Sequence, residues 1–259
     1  MKKLITLLLA LLLVAGCSSE KIVGGDLNDI QKRGYIIVAM EGTWAPWTYH
    51  DENDKLAGYD VEVAKYIADY LGVEVRYVEG EWDNLLIGVD GGMYDIMING
   101  CDITEERKQA YDFSDPYAYD VTAVITDVNN TEINTLDDLK GKVTANTASS
   151  TYAKIAEEHG ATVKPVDDLA ETFLLLSNKE IDATINAEIS YDYYMKTNPN
   201  SNFKIACYYD EIFDVGAVMK KGSTDLVNKV NEAIAAAKTD GTLSNLSIKY
   251  FTKDITNLK

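Results

Sequence analysis

Positive charge, histidine and cysteine are what this chain has least of, and each scarcity closes off a class of function. Lysine and arginine number 24 against 42 acids, a formal net charge of −18. A field of that sign repels phosphate, which excludes binding to nucleic acid or to an anionic lipid surface through the protein's own charge. His50 and His159 are the only histidines and neither sits in a ligand-spaced cluster, so no zinc site is expected. Beyond Cys17 there are only Cys101 and Cys207, too few for a disulfide framework. Export would permit them to pair, but nothing in the spacing requires it, and they are read as free, mostly buried thiols. The longest apolar run, Leu4 to Val14, is 11 residues, too short to cross the ~30 Å hydrocarbon core as a stable helix. No phosphate loop or nucleophile–base pair is present, so neither a cofactor nor catalysis is expected. Arginine is scarcer than lysine: Arg33, Arg76 and Arg107 stand against 21 lysines.

What is there begins with an export signal. Met1-Lys2-Lys3 is a basic start, the apolar run follows, and Ala15-Gly16-Cys17 closes it with small residues before a cysteine. LVAGC resembles a bacterial lipoprotein signal, which implies cleavage after residue 16 and a lipid (palmitate among its acyl chains) on Cys17. The competing reading is an uncleaved membrane anchor. Cleavage leaves 259 − 16 = 243 residues and removes two lysines and no acids, taking the charge from −18 to −20. The lipid, not the protein's field, would then hold the chain at a membrane. Residues 18–29, polar with a Gly24-Gly25 break, read as a tether.

From Tyr35 the chain alternates strand and helix. Ile36 to Ala39 reads as a buried strand, and Asp60 to Leu71 as a helix with its stripe at Ala64, Ile67, Ala68 and Leu71 and Gly72 as the stop. Val73–Val78, Trp82–Val89 and Tyr94–Ile98 continue the alternation. In the second half, Thr135 to Asp138 spells a capping box with aspartate in place of glutamate. Strands at 142–146, 162–166 and 181–185 alternate with helices at 151–159 and 168–177. Strands Phe203–Tyr209 and Val215–Met219 and helices Asp225–Lys238 and Thr242–Phe251 complete the chain. This order predicts α/β layers around a largely parallel sheet. Leu71 to Val75 is echoed by His159 to Val163, 88 positions on, and Asp95 to Asn99 by Asp182 to Asn186, 87 on. Two similar α/β modules account for the echo; chance likeness of two βαβ units is the competing account.

The stretch from Asp95 to Pro116 carries the candidate chemistry. A short apolar strand breaks at Asn99-Gly100, where glycine permits a sharp turn or a close approach. Thr104 then stands at a helix N-cap before Glu105 and Glu106, so unpaired N–H groups meet an open strand end. Arg107 follows, and its planar guanidinium suits a carboxylate bidentately. A surface arginine paired with Glu105 or Glu106 is the alternative.

Gly42-Thr43-Trp44-Ala45-Pro46-Trp47, Leu56 to Val61, Asp102 to Arg107, Asp112 to Tyr117 and the late Asp240-Gly241-Thr242-Leu243 together resemble the polar amino-acid substrate-binding proteins of ABC importers (extracellular solute-binding protein family 3). The resemblance covers nearly all of residues 30–255. Thr144 to Thr147, Ser150 to Tyr152 and Asp182 to Asn186 are most similar to members that handle cystine or cysteine. It implies a two-lobe periplasmic-binding-protein-like α/β fold of type II, each lobe a mixed sheet with flanking helices, joined by two hinge strands. Lobe 1 would be 30–119 plus 214–259 and lobe 2 would be 120–213, after a signal peptide at 1–16 and the lipidated tether at 17–29. The implied partners are an amino acid in the cleft, an ABC permease and the anchoring membrane, with the protein a monomer outside the cytoplasm.

The resemblance also implies a ligand site. Trp44 and Trp82 fall at aromatic wall positions, with plain core packing as the alternative. Arg107 would grip the ligand carboxylate, helped by Ser149 and Ser150 at a lobe-2 helix start, one of which could simply be the N-cap. Asn99 and Gly100 would offer backbone groups near the ligand amine, and Asn146 lies at a strand end facing the same cleft. Two residues depart from the pattern. Asp102 stands where Ser or Thr is usual, and Ala187 stands where an aspartate usually holds the ammonium. The expectation is therefore that the ammonium's counter-charge has moved to Asp102, with Glu41 or Glu188 as lesser candidates. Asp102 turning away to cap a backbone N–H is the alternative. The functional expectation is a lipid-tethered receptor delivering an amino acid to a permease. A dehydratase-like enzyme using a raised carboxyl of this set, and a ligand sensor, are the other readings.

Overall fold

The computed structural model describes residues 25–258. Helix α1 (Leu27–Arg33) leads into β1 (Tyr35–Met40) and a small layer of β2 (Thr43–Trp44), β3 (Thr48–His50) and β4 (Leu56–Ala57). Then come α2 (Tyr59–Leu71), β5 (Glu74–Glu79), α3 (Trp82–Asp90), β6 (Ile96–Met97), α4 (Glu105–Ala110) and β7 (Tyr111–Phe113). A long strand, β8 (Ala118–Asp127), carries the chain into a second unit. That unit holds a capped 3₁₀ turn at Leu136–Leu139, β9 (Val143–Asn146), α5 (Thr151–Glu158), β10 (Thr162–Pro165), α6 (Leu169–Ser177), β11 (Ala183–Ala187) and α7 (Glu188–Thr197). The chain returns through β12 (Phe203–Val215) to β13 (Val218–Lys220), α8 (Thr224–Thr239) and α9 (Thr242–Phe251).

Two five-stranded sheets result, ordered β5-β1-β6-β13-β7 and β10-β9-β11-β8-β12. In each, three neighbouring strands run parallel, the fourth (β13 or β8) runs against them, and the edge strand beyond it (β7 or β12) runs with the first three again. The sheets are thus mixed, not largely parallel. The parallel trios come from strand–helix–strand crossovers, while β13 and β8 are stretches where the chain returns or leaves and so run the other way. β8 and β12 pair with each other from Phe203↔Asp127 to Val215↔Ala118, with two register shifts on the way. They are the two passages between the sheets.

Several readings change. The predicted tether ends earlier than expected, because α1 begins at Leu27, capped by the Asp26 side chain accepting from Asp29 N at 2.9 Å and anchored by fully buried Ile30. Cys17, the signal and the rest of the tether lie outside the described residues. The expected strand 203–209 is the start of one 13-residue strand. Helix α7 escaped notice because only Ile189 and Ser190 on it are buried and Ala187 supplies no side-chain cap. Cys101 and Cys207 are free thiols, the first buried and the second partly so.

One glycine sets the entry to the site. Gly58 has φ 133° and ψ 170°, a region open essentially to glycine alone, and a Cβ there would stand 2.1 Å from the Trp47 carbonyl oxygen. That closeness lets Tyr59 N and Asp60 N donate to the carbonyls of Pro46 and Trp47 at 3.1 and 3.0 Å, locking the β2–β3 hairpin to the head of α2. Gly58→Ala should therefore cost at least ~2 kcal/mol in chemical denaturation; an unchanged midpoint would refute the clamp.

Candidate functional site

The parallel strands of both sheets end facing one another, as ligand sites in open α/β sheets do. β1 delivers Glu41, β6 delivers Gly100 and Asp102, β9 delivers Asn146 and β11 delivers Asn186. Helix starts supply Trp82 from α3, Ser150 and Thr151 from α5, and Asp168 and Leu169 from α6. Together with Trp44, Arg107, Thr147, Tyr152, Asp167 and Thr172 they line a cleft whose open space, its solvent-facing mouth included, is about 530 Å³.

Arg107 is the one basic residue in that lining. Thr104 caps its helix by accepting from Arg107 N at 3.2 Å, which fixes the root of the side chain. Nη1 donates to the Asp102 carbonyl at 3.0 Å and Nη2 to the Ser149 carbonyl at 3.3 Å, and the guanidinium lies 5.1 Å over the Trp82 ring. The alternative of a surface pair with its neighbours does not hold: Glu105 takes Lys108 at 2.8 Å and Glu106 takes Lys154 at 2.5 Å.

Buried carboxyls surround this cation. Asp102 is 4% exposed; burial raises its pKa while Arg107 and the Thr151 hydroxyl pull it back. Behind it on β8 lies Asp120, which accepts from Tyr152 Oη at 3.0 Å and Thr122 Oγ1 at 3.1 Å. Burial raises its pKa too, and the Asp102 charge raises it further. Glu41 is pushed up to about 7, chiefly by burial; the Asn99 amide, donating at 2.6 Å, opposes this, and Asp168 and Asp83 add to it. Asp60 is likewise pushed up to about 7 by burial, against the help of the Tyr117 hydroxyl and of Gly100 N, which donates to it at 2.5 Å. Three polar atoms in the lining, Asp102 Oδ1, Asn146 Oδ1 and Thr151 Oγ1, are buried without a hydrogen-bond partner among the described residues. The Asn146 amide is used on the Ile185 carbonyl at 2.7 Å, which is why its oxygen is left over.

Of the residues singled out in the sequence, Glu41, Trp44, Trp82, Gly100, Asp102, Arg107, Asn146 and Ser150 share this lining. Ser150 is also the N-cap of α5, accepting from Ala153 N at 3.1 Å. Ser149 stands at the rim, accepting from Trp82 Nε1 at 2.9 Å and donating to Asp83, a tie between the two units. Asn99 lies behind the wall, its side chain taken by Glu41 and Thr48, and the Gly100 N–H is spent on Asp60. Glu188 is not at the cavity. It sits one residue past the end of β11, paired with Lys253 at 2.6 Å and accepting from Tyr208 at 2.9 Å. Sequence reasoning missed Tyr152, Asp167, Asp168 and Asn186 as lining and Asp120 behind it. Asp168 was visible as a helix start and Asn186 as a strand end, whereas Asp120 lay on a strand that was read only by implication.

Residues 36–253 match the family of bacterial extracellular solute-binding proteins, family 3. The L-cystine-binding protein TcyA of Bacillus subtilis (strain 168) is 38% identical over 240 residues, covering 92% of this chain and 89% of that protein. The L-cystine-binding protein TcyJ of Escherichia coli (strain K12) is 34% identical over 253 residues, covering 96% and 94%. Among solved structures, a mutant of ArgBP from T. maritima superposes with a TM-score of 0.82 at 29% identity over 88% of this chain and 99% of that one. The chain belongs to family 3 of the bacterial extracellular solute-binding proteins, and its fold is their two-lobe α/β fold. No helix among the described residues is long and apolar enough to cross a membrane.

The raised carboxyls make stability pH-dependent with a definite sign. In the folded state Glu41 and Asp60 hold protons up to about pH 7 that the unfolded chain releases near 4 to 4.5. The folded state therefore binds more protons in that window, and the contribution present below about pH 4 is lost as pH rises through 7. The urea midpoint of the ligand-free protein should fall from pH 5 to pH 8, and Asp60→Asn, which keeps the acceptor for Gly100 N, should flatten the slope. Parallel profiles for the two proteins would contradict this assignment.

Proposed function

We propose that this protein is the receptor of an ABC importer for an amino acid, clasped between lobe 1 (30–119 plus 214–259) and lobe 2 (120–213) and handed on without chemical change. The observation that carries the reading is Arg107: one guanidinium, rooted in the first unit and touching the second, in a cavity whose other charged groups are all acids. A ligand bearing one carboxylate and one ammonium matches that division. Its carboxylate meets Arg107, aided by N–H groups at the start of α5. Its ammonium meets Asp102 Oδ1 and Asn146 Oδ1, two buried acceptors without a partner among the described residues. Asp102 thereby takes the place of the acid that Ala187 lacks. Trp44 and Trp82 flank the side chain with apolar faces. Bending at β8 and β12 would open and close the cleft. Cys17 carries the lipid that keeps the receptor outside the cytoplasm beside its permease, and the protein acts as a monomer. The raised carboxyls serve binding, so no dehydratase activity is assigned.

The purified protein should show a thermal shift with one or a few amino acids, since ligand at 100 times its Kd adds ~2.7 kcal/mol of stability. Arg107→Ala should weaken that ligand at least ~100-fold, the loss of a charge-assisted bidentate partner in a partly desolvated site. Asp102→Asn should weaken it by a similar order and also remove the drop in affinity at acid pH. An undiminished shift in Arg107→Ala would remove the arginine from the site. Radiolabelled palmitate incorporated equally by wild type and Cys17→Ala would exclude the anchor.

A further inference from the structure

Helix α7 is divided between two neighbours. Tyr191, Tyr194 and Met195 pack into the second unit's own core beside Phe173 and Phe203. Ile189, Asp192, Tyr193 and Lys196, spaced as one face of a helix, line a crevice shared with Tyr49 and residues 249–252 of the first unit. Tyr193 meets Tyr49 there, with ring centroids 5.5 Å apart. Next to this crevice Lys253 Nζ reaches both Glu188 at 2.6 Å and Asp192 at 3.0 Å, one turn apart on α7. None of these three residues lines the ligand cleft.

Both ends of this ion pair are rooted. Phe251 packs on Trp47 and Tyr59, with ring centroids 5.0 and 4.9 Å away. Ser247 Oγ donates to the Lys253 carbonyl at 2.8 Å and accepts from Ile255 N at 2.9 Å, which ties Lys253 to the first unit. On the other side Glu188 follows directly on β11, and Tyr208 Oη orients it by donating at 2.9 Å. A free surface pair contributes little, because two long side chains must be ordered to make it. Here one ammonium meets two carboxylates on a fixed helical turn, and the Glu188 side chain is only 23% exposed. The link also lies on the side that opens. Two residues before Glu188, Asn186 lines the cleft and accepts from Trp44 Nε1 at 3.3 Å. A hinge motion that parts Trp44 from Asn186 draws Lys253 away from Glu188 as well. We infer that Lys253, with Glu188 and Asp192, is an ionic latch on the flank of the cleft, a positioning group that touches no ligand and forms on closure. This rests on the two-lobe receptor reading given above. An interaction made only in the closed form raises affinity by one factor, whatever the cleft holds.

Isothermal titration of the purified protein with L-cystine, L-arginine, L-glutamine and any other amino acid that raises its melting temperature tests this, at low and at high NaCl. Lys253→Met should weaken every probe that binds by the same factor, about 3- to 10-fold at low salt. The gap from wild type should narrow at high salt, where the pair is screened. The loss should appear as faster dissociation, followed by tryptophan fluorescence, with association little changed. Glu188→Gln combined with Asp192→Asn should match it. Lys253→Glu should weaken binding further, and adding Glu188→Lys should recover most of that second loss, a rescue that a merely structural lysine would not give. Unchanged affinity in Lys253→Met, a loss confined to one of several probes that bind, or failure of the charge swap would overturn the latch and leave the amino-acid receptor standing. Binding of no amino acid at all would overturn both.

Discussion

Two carbonyl oxygens hold the Arg107 guanidinium, one from Asp102 in its own unit and one from Ser149 across the cleft. Much of the site follows from that arrangement. A cation pinned by carbonyls keeps its charge uncancelled, unlike one neutralised in an ion pair, and so remains available to an anion. Trp82 gains from it as well, since its ring lies beneath the cation while its indole N–H reaches Ser149 in the other unit. Cation, ring and serine form one continuous link between the two walls.

The acids around that cation are costly to bury, and their placement shows how the cost is distributed. Asp60 and Asp120 stand behind the wall with backbone and hydroxyl donors, where they brace Gly100 and Tyr152. Asp102 and Glu41 stand in the wall itself and are only partly served. Incomplete satisfaction of this kind is unfavourable in a resting protein and becomes favourable when a ligand supplies the missing donors. On the reading proposed above, Asp102 and Ala187 belong together: the acid that meets the ligand ammonium stands at the bend after β6 rather than at the end of β11.

The local units could be read in the chain with fair accuracy because their signals are local. Thr104, Ser150 and Asp168 are helix caps where a hydroxyl or carboxylate precedes the first turn, and the structure has all three accepting the expected backbone N–H. The box at Thr135 and Asp138 forms with aspartate in glutamate's place. Helices with a clear stripe, such as α2 and α8, were placed to within a residue or two. The misses share a cause: α7 has neither stripe nor cap, and β8 and β12 are long strands whose residues change environment along their length, so neither period persists.

The residue sequence by itself determined the alternation of strands and helices, the acid excess that rules out polyanion binding, and the presence of a lone arginine and two tryptophans in motifs shared with a transport family. Each of these is a matter of composition or of neighbours within a few positions. Tertiary structure alone decided which acids share a cavity with the arginine, that Glu188 turns instead to Lys253, and that Glu41 and Asp168 line one cleft from different units. Those pairings join residues as far as 127 positions apart, through strand ends that only sheet order and crossover handedness bring together, and no local pattern in the chain encodes that distance.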